Sequence, residues 1–444
     1  MLPDDVLIEI FNLHRYSDWQ TLVHVCRRWR SIVFGSPRHL NLQLFCTDTT
    51  PVREMLDVWP ALPLHILLSG YNRTGMDNIV AALECADRVG GISLLHARTQ
   101  SLELEIFLAA LQQPFPELTY MYLRPNDKTV PVVPDSFLGG SAPRLQYLEL
   151  HGIPFPGLPK LLLSATHLVT LRLYDIPHSG YFSPDVMGVA LLMLTSLEYL
   201  SLEFESPRSS PDQARQHSPP STRSVLPVLI YFSFKGVSEY LNDLVACFDA
   251  PRLNTLDITF FDDTIFDTPQ LVRFISHTPI WKTFEKAYIT FYYQVAVVDF
   301  SSQTSRDGEL REFKVQILCE GLNRQVSSLE QVCTSCMPPL SILEDLYIED
   351  YFYSKRIESI LNRRFLEILR PFMAVKNLFL SEAFASHIAP ALQMLAEGGT
   401  TDVLPALQNI FLKGFDSSGS VQEGIGQFVA ARQVANHRIG ISRW

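Results

Sequence analysis

Cys333-Thr-Ser-Cys336 is the chain's one Cys-x-x-Cys, a spacing that can place two thiolates on a zinc ion. A structural zinc site needs a second ligand pair at matching spacing, and none lies near. The surrounding residues read instead as an amphipathic helix opened by Ser327-Ser328-Leu329-Glu330, a capping box, with the cysteines as small apolar groups. Asp262-Asp263 with Asp267 and His277 has the residue types of an acid–base or metal cluster, but it directly follows an apolar strand-like run, where a solvated loop is expected. None of the twelve histidines pairs with another at ligand spacing. Gly424-Ile425-Gly426 is a lone Gly-x-Gly in a helical pattern, and no Gly-x-Ser-x-Gly, His-Glu-x-x-His, phosphate loop or kinase signature occurs. No catalytic residue, metal site or cofactor is expected, and the chain reads as a non-enzyme.

Bulk properties narrow the classes further. A 444-residue chain that is 47% hydrophobic can bury a large core, yet it is too long for one ordinary compact domain unless built from repeats. The formal charge is −11, and without basic tracts nucleic acid and anionic membrane are not expected partners. No apolar run approaches the ~18 residues of a spanning helix, and Asp4 and Asp5 occupy the place where a signal peptide carries positive charge. Seven scattered cysteines fit a reducing compartment, so an intracellular protein, cytoplasmic or nuclear, is expected. Asn72-Arg73-Thr74 then has no meaning as a glycosylation sequon.

The elements that must carry any site come from one recurring pattern, apolar-x-x-apolar-x-apolar. It runs through Leu118/Met121/Leu123, Leu145/Leu148/Leu150, Leu168/Leu171/Leu173, Leu197/Leu200/Leu202, Leu229/Phe232/Phe234 and Leu253/Leu256/Ile258. Phe284/Ala287/Ile289, Leu310/Phe313/Val315, Leu343/Leu346/Ile348, Val375/Leu378/Leu380 and Leu407/Ile410/Leu412 continue it, with successive starts 23 to 33 residues apart. Leu64/Ile66 and Ile92/Leu95 are poorer, earlier copies. Alternation gives each strand one buried face, and the segments between read as helices, as in Ser183-Pro184-Asp185 and Thr268-Pro269, where a cap residue precedes proline. Val237 to Phe248, Ile357 to Leu369 and Ala383 to Leu395 are further candidates.

This pattern resembles the leucine-rich repeat, irregular in period and without a clear Asn ladder. The resemblance implies an α/β fold, a solenoid with parallel strands on the concave side and helices or loops on the convex side. Two segments interrupt it: the Ser/Pro-rich insertion 206–224, whose Ser209, Ser210, Ser218 and Ser221 read as surface loop, and a short polar connection at 301–308.

The first forty residues follow a different rule. Leu2-Pro3-Asp4-Asp5 opens a helix with proline in the first turn and acids on its positive end, and Leu7, Ile10 and Phe11 share a face. Trp19 through Val25, then Val25-Cys26-Arg27-Arg28-Trp29 through Phe34, give two more short helices ending at Gly35-Ser36-Pro37. This segment resembles the F-box, the module that docks a Skp-type adaptor and, through it, a cullin in ubiquitin ligases; Asp5 stands where the family more often has Glu. The resemblance implies adaptor docking by Leu2, Pro3, Leu7, Ile10, Phe11, Val25, Cys26 and Trp29, divided between contact and helix packing. It also implies a non-catalytic receptor that brings an unknown protein substrate to a ligase, or else a module that binds the adaptor without promoting ubiquitination. An F-box followed by degenerate repeats resembles the expanded fungal sets of such proteins. The expected organisation is an F-box at 1–40, linker and degenerate first repeats at 41–117, the repeat solenoid at 118–415, and a C-terminal cap at 416–444.

If the repeats bind a substrate, the residues between the buried leucines present the surface. Those slots hold Tyr120, Tyr122, Tyr147, Tyr174, Tyr199, Tyr231, Tyr288 and Tyr347, then Phe379 and Phe411. Tyrosine supplies broad contact area at low entropic cost, as interfaces require. Phe379 and Phe411 are apolar at exposed slots, and a C-terminal cap containing Phe428, Val429, Val434 and Ile439 is the expected cover.

Overall fold

The structure is a computed structural model; it describes residues 2–13, 22, 25–35, 42–59, 61–69, 75–95, 101–126, 130–207, 223–261, 266–278, 284–301, 311–335, 343–351, 361–398, 403–413 and 419–444. Two compact units divide the chain, Met1–Gln213 and Ala214–Trp444.

The first unit opens with helices α1 (Asp4–Leu13) and α2 (Arg27–Gly35). Leu7 and Phe11 from α1 meet Leu22 and, from α2, Ile32 and Val33 in a small core, with Ile8, Ile10 and Trp29 packed at its edge. Seven strands follow in sequence order as one parallel sheet: β1 (Leu42–Phe45), β2 (Leu64–Ser69), β3 (Val89–Leu95), β4 (Tyr120–Arg124), β5 (Tyr147–His151), β6 (Thr170–Ile176) and β7 (Tyr199–Phe204). Helices α3 (Val52–Val58), α4 (Met76–Leu83), α5 (Ser101–Ala110), α6 (Leu158–Leu162) and α7 (Pro184–Leu191) lie on the return segments. Ser183 caps α7 as expected, its hydroxyl accepting from the Val186 N–H.

The repeat triplets behave as alternation requires. Leu118, Met121 and Leu123, Leu145, Leu148 and Leu150, and their successors are buried, apart from Leu310, which lies outside the described residues. A backbone device absent from any side-chain pattern ties one repeat to the next. Two successive N–H groups entering a strand donate to one carbonyl of the preceding repeat: Gln146 and Tyr147 to Thr119, Val169 and Thr170 to Gln146, Glu198 and Tyr199 to Val169. The second unit repeats it, with Asn254 and Thr255 on Ile230 and with Lys376 and Asn377 on Glu344. Each of these strand entries thus satisfies its polar backbone beside the core.

The second unit departs from simple succession. Its main sheet contains β9 (Tyr231–Gly236), β11 (Thr255–Phe261), β12 (Lys286–Tyr292), β13 (Val295–Ser301), β14 (Glu312–Leu318), β15 (Asp345–Asp350), β16 (Asn377–Leu380), β17 (Asn409–Leu412) and β18 (Gly440–Arg443). A two-residue pair joins β8 (Ser224–Val225) to β10 (Phe248–Asp249). The spatial order is β9-β11-β14-β13-β12-β15-β16-β17-β18, so β12 and β14 are not the neighbouring parallel strands that the repeat pattern predicts. β13 runs antiparallel between them. The sequence Val295-Ala-Val-Val-Asp-Phe-Ser301 alternates but lacks the leucine triplet, and its turn, Tyr293-Gln294, carries no glycine to announce a hairpin. β14 and β12 keep parallel partners in β11 and β15, so the inserted hairpin preserves the direction of both flanking strands.

Helices α8 (Ser238–Ala246), α9 (Pro269–His277), α10 (Leu322–Ser335), α11 (Leu361–Leu369), α12 (Glu382–Gly398) and α13 (Gly419–Val434) lie among the described residues of this unit. Two caps differ from expectation. Ser327 to Glu330 lies inside α10, which begins five residues earlier, just after the positive-φ Gly321; the Ser327 hydroxyl donates to the Asn323 carbonyl instead. At α9 the Thr268 side chain makes no cap bond, and Asn242 of α8 accepts the Gln270 N–H at 2.9 Å. Cys333 is buried in α10 as a small apolar group, while Cys336 lies outside the described residues.

Candidate functional site

Two surfaces hold the residues singled out in the sequence. In the N-terminal helical unit, Leu7 and Phe11 are core residues, and the Phe11 and Trp29 rings meet at 4.9 Å. Ile10 and Trp29 are half-buried. Leu2 (51% exposed), Pro3, Val25 (55% exposed) and Cys26 lie outside that core. The strand of chain bearing Leu2 is held against α2: Arg28 donates to the Leu2 carbonyl and forms an ion pair with Asp4 at 2.6 Å. Cys26 precedes α2 and its Sγ accepts the Trp29 N–H at 3.4 Å, serving as the helix cap. Exposed apolar side chains therefore sit on a fixed backbone rather than on a loose end. Trp19 and Val23 lie outside the described residues.

The second surface is the outward face of each sheet, where alternate strand residues are half-buried while their neighbours enter the core. All eight predicted tyrosines are half-buried there. In the first unit the register sets Tyr120 beside Tyr147, and their rings stack at 4.6 Å. Tyr122 and Tyr174 flank His151, at 5.6 and 4.6 Å. Tyr199 pairs with Thr170, and in the second unit Tyr231 pairs with Thr255.

Glu149 is the centre of the first unit's face and was only one acid among several in the sequence. It is 6% exposed. Tyr147 donates its hydroxyl to the carboxylate, His151 Nε2 lies 2.7 Å away, and Arg172 approaches at 3.7 Å from the adjoining strand. Burial alone would raise the carboxyl pKa; the bonds from His151 and Tyr147 and the charge of Arg172 outweigh it, so Glu149 titrates below its ordinary value. Burial and the same carboxylate push the Tyr147 hydroxyl well upward. At the edge of this cluster the His65 ring lies across Gly91, where an added Cβ would fall 1.5 Å from the imidazole, and reaches within 5.7 Å of Tyr120. Burial lowers the His65 pKa, favouring the neutral ring.

The second unit's face splits into a charged and an aromatic part along one register row. Asp257, Lys314 and Asp299 stand side by side, followed by Tyr288, Tyr347, Phe379 and Phe411. The four rings form a continuous stack, with steps of 4.6, 4.1 and 4.5 Å. A parallel polar ladder runs beside it: Asn409 donates to Asn377 and Asn377 to Asp345, each at 2.8 Å. Its members stand two residues before Tyr347, Phe379 and Phe411, a short ladder where the sequence showed no clear one. In the segment expected to cover them, Phe428 is buried on α13 and Val434 is exposed; Trp444 meets the rings, T-shaped against Phe379 and Tyr347 at 5.4 and 5.7 Å.

Asp299 is a consequence of the inserted strand. Burial first, then Glu312, pushes its carboxyl up to about 6, with Lys314 opposing. A carboxyl whose folded pKa exceeds its unfolded value of 3.8 costs stability once ionised, a cost absent in acid and growing as pH rises from about 4 to 6. Asp299→Asn should therefore stabilise the protein by roughly 1–2 kcal/mol at pH 7.5, the lower part of what such a shift carries. Thermal melts at pH 7.5 and pH 4 check this; the gain should vanish at the lower pH.

The catalytic alternatives gain no support from geometry. His277 Nδ1 is 3.9 Å from Asp249, Asp262 and Asp263 lie outside the described residues, and among the described residues no group of three or more His, Cys, Asp or Glu is arranged to hold a metal. Among them, too, no helix is long and apolar enough to cross a membrane.

Residues 1–39 match the family model of the F-box-like domain. The N-terminal helical unit is F-box-like. Among solved structures, the chain is similar to the leucine-rich repeat-containing protein LegL7 from Legionella pneumophila, at 13% identity over 88% of this chain and 97% of that one, with a TM-score of 0.28. No curated protein matches the chain. The F-box-like unit accounts for the packing of Leu7, Phe11 and Trp29, and it leaves Leu2, Pro3, Val25 and Cys26 facing outward.

Proposed function

We propose that this chain is the substrate-recognition subunit of a Skp–cullin–F-box type ubiquitin ligase. The observation that carries the reading is an F-box-like match at 1–39 whose apolar Leu2, Pro3 and Val25 stay outside the small core that Leu7 and Phe11 build. A unit of this size buries little surface alone, so an apolar partner surface adds stability that its own core lacks. The adaptor would cover Leu2, Pro3, Val25 and Cys26, with Ile10 and Trp29 behind them, and the cullin would follow through the adaptor. The repeats would hold a protein substrate on the tyrosine-bearing faces, since stacked half-buried rings offer area without further loss of side-chain freedom. The chain performs no bond chemistry in this scheme. It raises the concentration of a substrate lysine near the ubiquitin-charged enzyme that the ligase supplies.

Mixing the full-length protein with a purified Skp-type adaptor tests the docking. A stoichiometric complex is expected on size exclusion, together with a raised melting temperature from mass action on the folded state. The Leu2→Ala/Pro3→Ala variant should lose the complex with its repeat units still folded; equal complex formation by both proteins would remove the docking assignment.

A further inference from the structure

β18 differs from every other described strand of its sheet. Its four residues are all exposed, Ile441 among them at 49%, whereas each of the others buries alternate side chains. It is attached by backbone bonds along the edge of β17, from the Gly440 N–H to the Gln408 carbonyl at 2.8 Å and from the Trp444 N–H to the Leu412 carbonyl at 3.3 Å. Its single substantial side-chain seat is the Trp444 ring. That ring is T-shaped against Phe379 and Tyr347, and Lys413 lies 5.1 Å above it while holding Glu349 at 3.1 Å. The seat thus combines stacked aromatic walls with a positioned cation, a chemistry that favours an electron-rich ring.

We propose that the β17 edge and the Tyr347/Phe379/Lys413 seat form a binding site for an extended segment of a partner protein, and that Gly440–Trp444 occupies it as an intramolecular stand-in. This rests on the reading of the strand faces as protein-binding surfaces and adds the chemistry of what they bind. The occupant defines the pattern required. Residues facing the site are Gly440, Ser442 and Trp444, two apart as strand alternation demands. A Cβ at position 440 would lie 3.1 Å from the Asn409 side-chain oxygen, so a small residue fits there. Ser442 pairs with the already stacked Phe411, where a second small residue fits. The ligand is therefore small-x-small-x-aromatic, added in parallel to the β17 edge by main-chain bonds, with the ring supplying specificity. A strand that buries no core residue can detach without exposing the interior, and a tethered copy competes with any partner at high effective concentration.

The test uses two proteins beside wild type: full-length Gly440→Pro/Trp444→Ala, which removes the first edge bond and the ring, and the chain ending at Ile439. The probe is a fluorescein-labelled peptide of residues Arg438–Trp444. Both altered proteins should keep the wild-type melting temperature and bind the peptide at least about tenfold more tightly than wild type, because the competing tether is gone. A peptide with Trp444→Ala should not bind, and Phe379→Leu in the shortened protein should weaken binding. Equal or absent binding across the three folded proteins overturns the proposal. So does a fall in melting temperature on shortening, which makes β18 a structural strand, or a wild-type dimer that the peptide dissolves, which makes the occupant a second copy. Adaptor binding is measured in parallel: its loss in wild type contradicts the proposed function alone, and its retention with no peptide response contradicts this inference alone.

Discussion

Phe11→Ala should unfold the F-box-like unit and leave the repeats standing. Phe11 is 3% exposed and touches a core of only a few large side chains, among them Leu7, Leu22, Ile32 and Val33. Removing a buried phenylalanine costs about 3–5 kcal/mol, which is comparable to the whole stability a unit of this size holds. The ring also supports Trp29 at 4.9 Å, so its loss loosens α2 as well. Hydrogen exchange should show α1 and α2 amides unprotected, with strands from β4 onward unchanged. Adaptor binding should disappear with them. Protected α1 amides in the variant would mean that the small core is not what holds the unit together.

Glu149→Ala is the second large effect, and it acts on the first repeat unit. The carboxylate accepts from Tyr147 and His151 and faces Arg172, so its removal leaves three groups arranged around an empty acceptor. Hydrogen bonds to a charged group are worth about 1.5–3 kcal/mol each, and the half-exposed Arg172 recovers part of this from water. A net loss of about 2–3 kcal/mol is expected at neutral pH. The pH dependence follows from a depressed carboxyl pKa. Its contribution is fully present above the ordinary value near 4.5 and is lost as pH falls through the folded value. Melting curves of wild type and Glu149→Gln at pH 7 and pH 3.5 should differ most at pH 7. A constant difference across that range would show that Glu149 acts through packing alone.

The repeats were legible because burial and alternation leave a trace in one sequence: each apolar triplet from Leu118/Met121/Leu123 onward marks a strand, and two of the intervening helices, α7 and α9, open on a residue of cap type followed by proline. Val295–Ser301 was not, since a hairpin inserted between two repeat strands obeys the same alternation without the leading leucine. The tyrosines were legible as occupants of one face, but their neighbours were not. Whether Tyr147 stands beside Tyr120 depends on inter-strand register, which alternation does not encode. For that reason the Glu149 cluster, built from four residues on two strands, stayed invisible, although each member occupies a predictable slot. The Asp345/Asn377/Asn409 ladder lay nearer to view, because its members recur at one offset from the rings. Trp444 was out of reach, being placed by edge pairing rather than by any core pattern.

Ligase assembly is the central claim, and affinity purification with mass spectrometry from cells expressing wild type or Leu2→Ala/Pro3→Ala tests it most directly. The account predicts that a Skp-type adaptor and a cullin accompany the wild type and vanish from the variant, while proteins held by the repeats remain with both and accumulate when the docking residues are lost. Recovery of the adaptor and cullin with both proteins, or with neither, would contradict it.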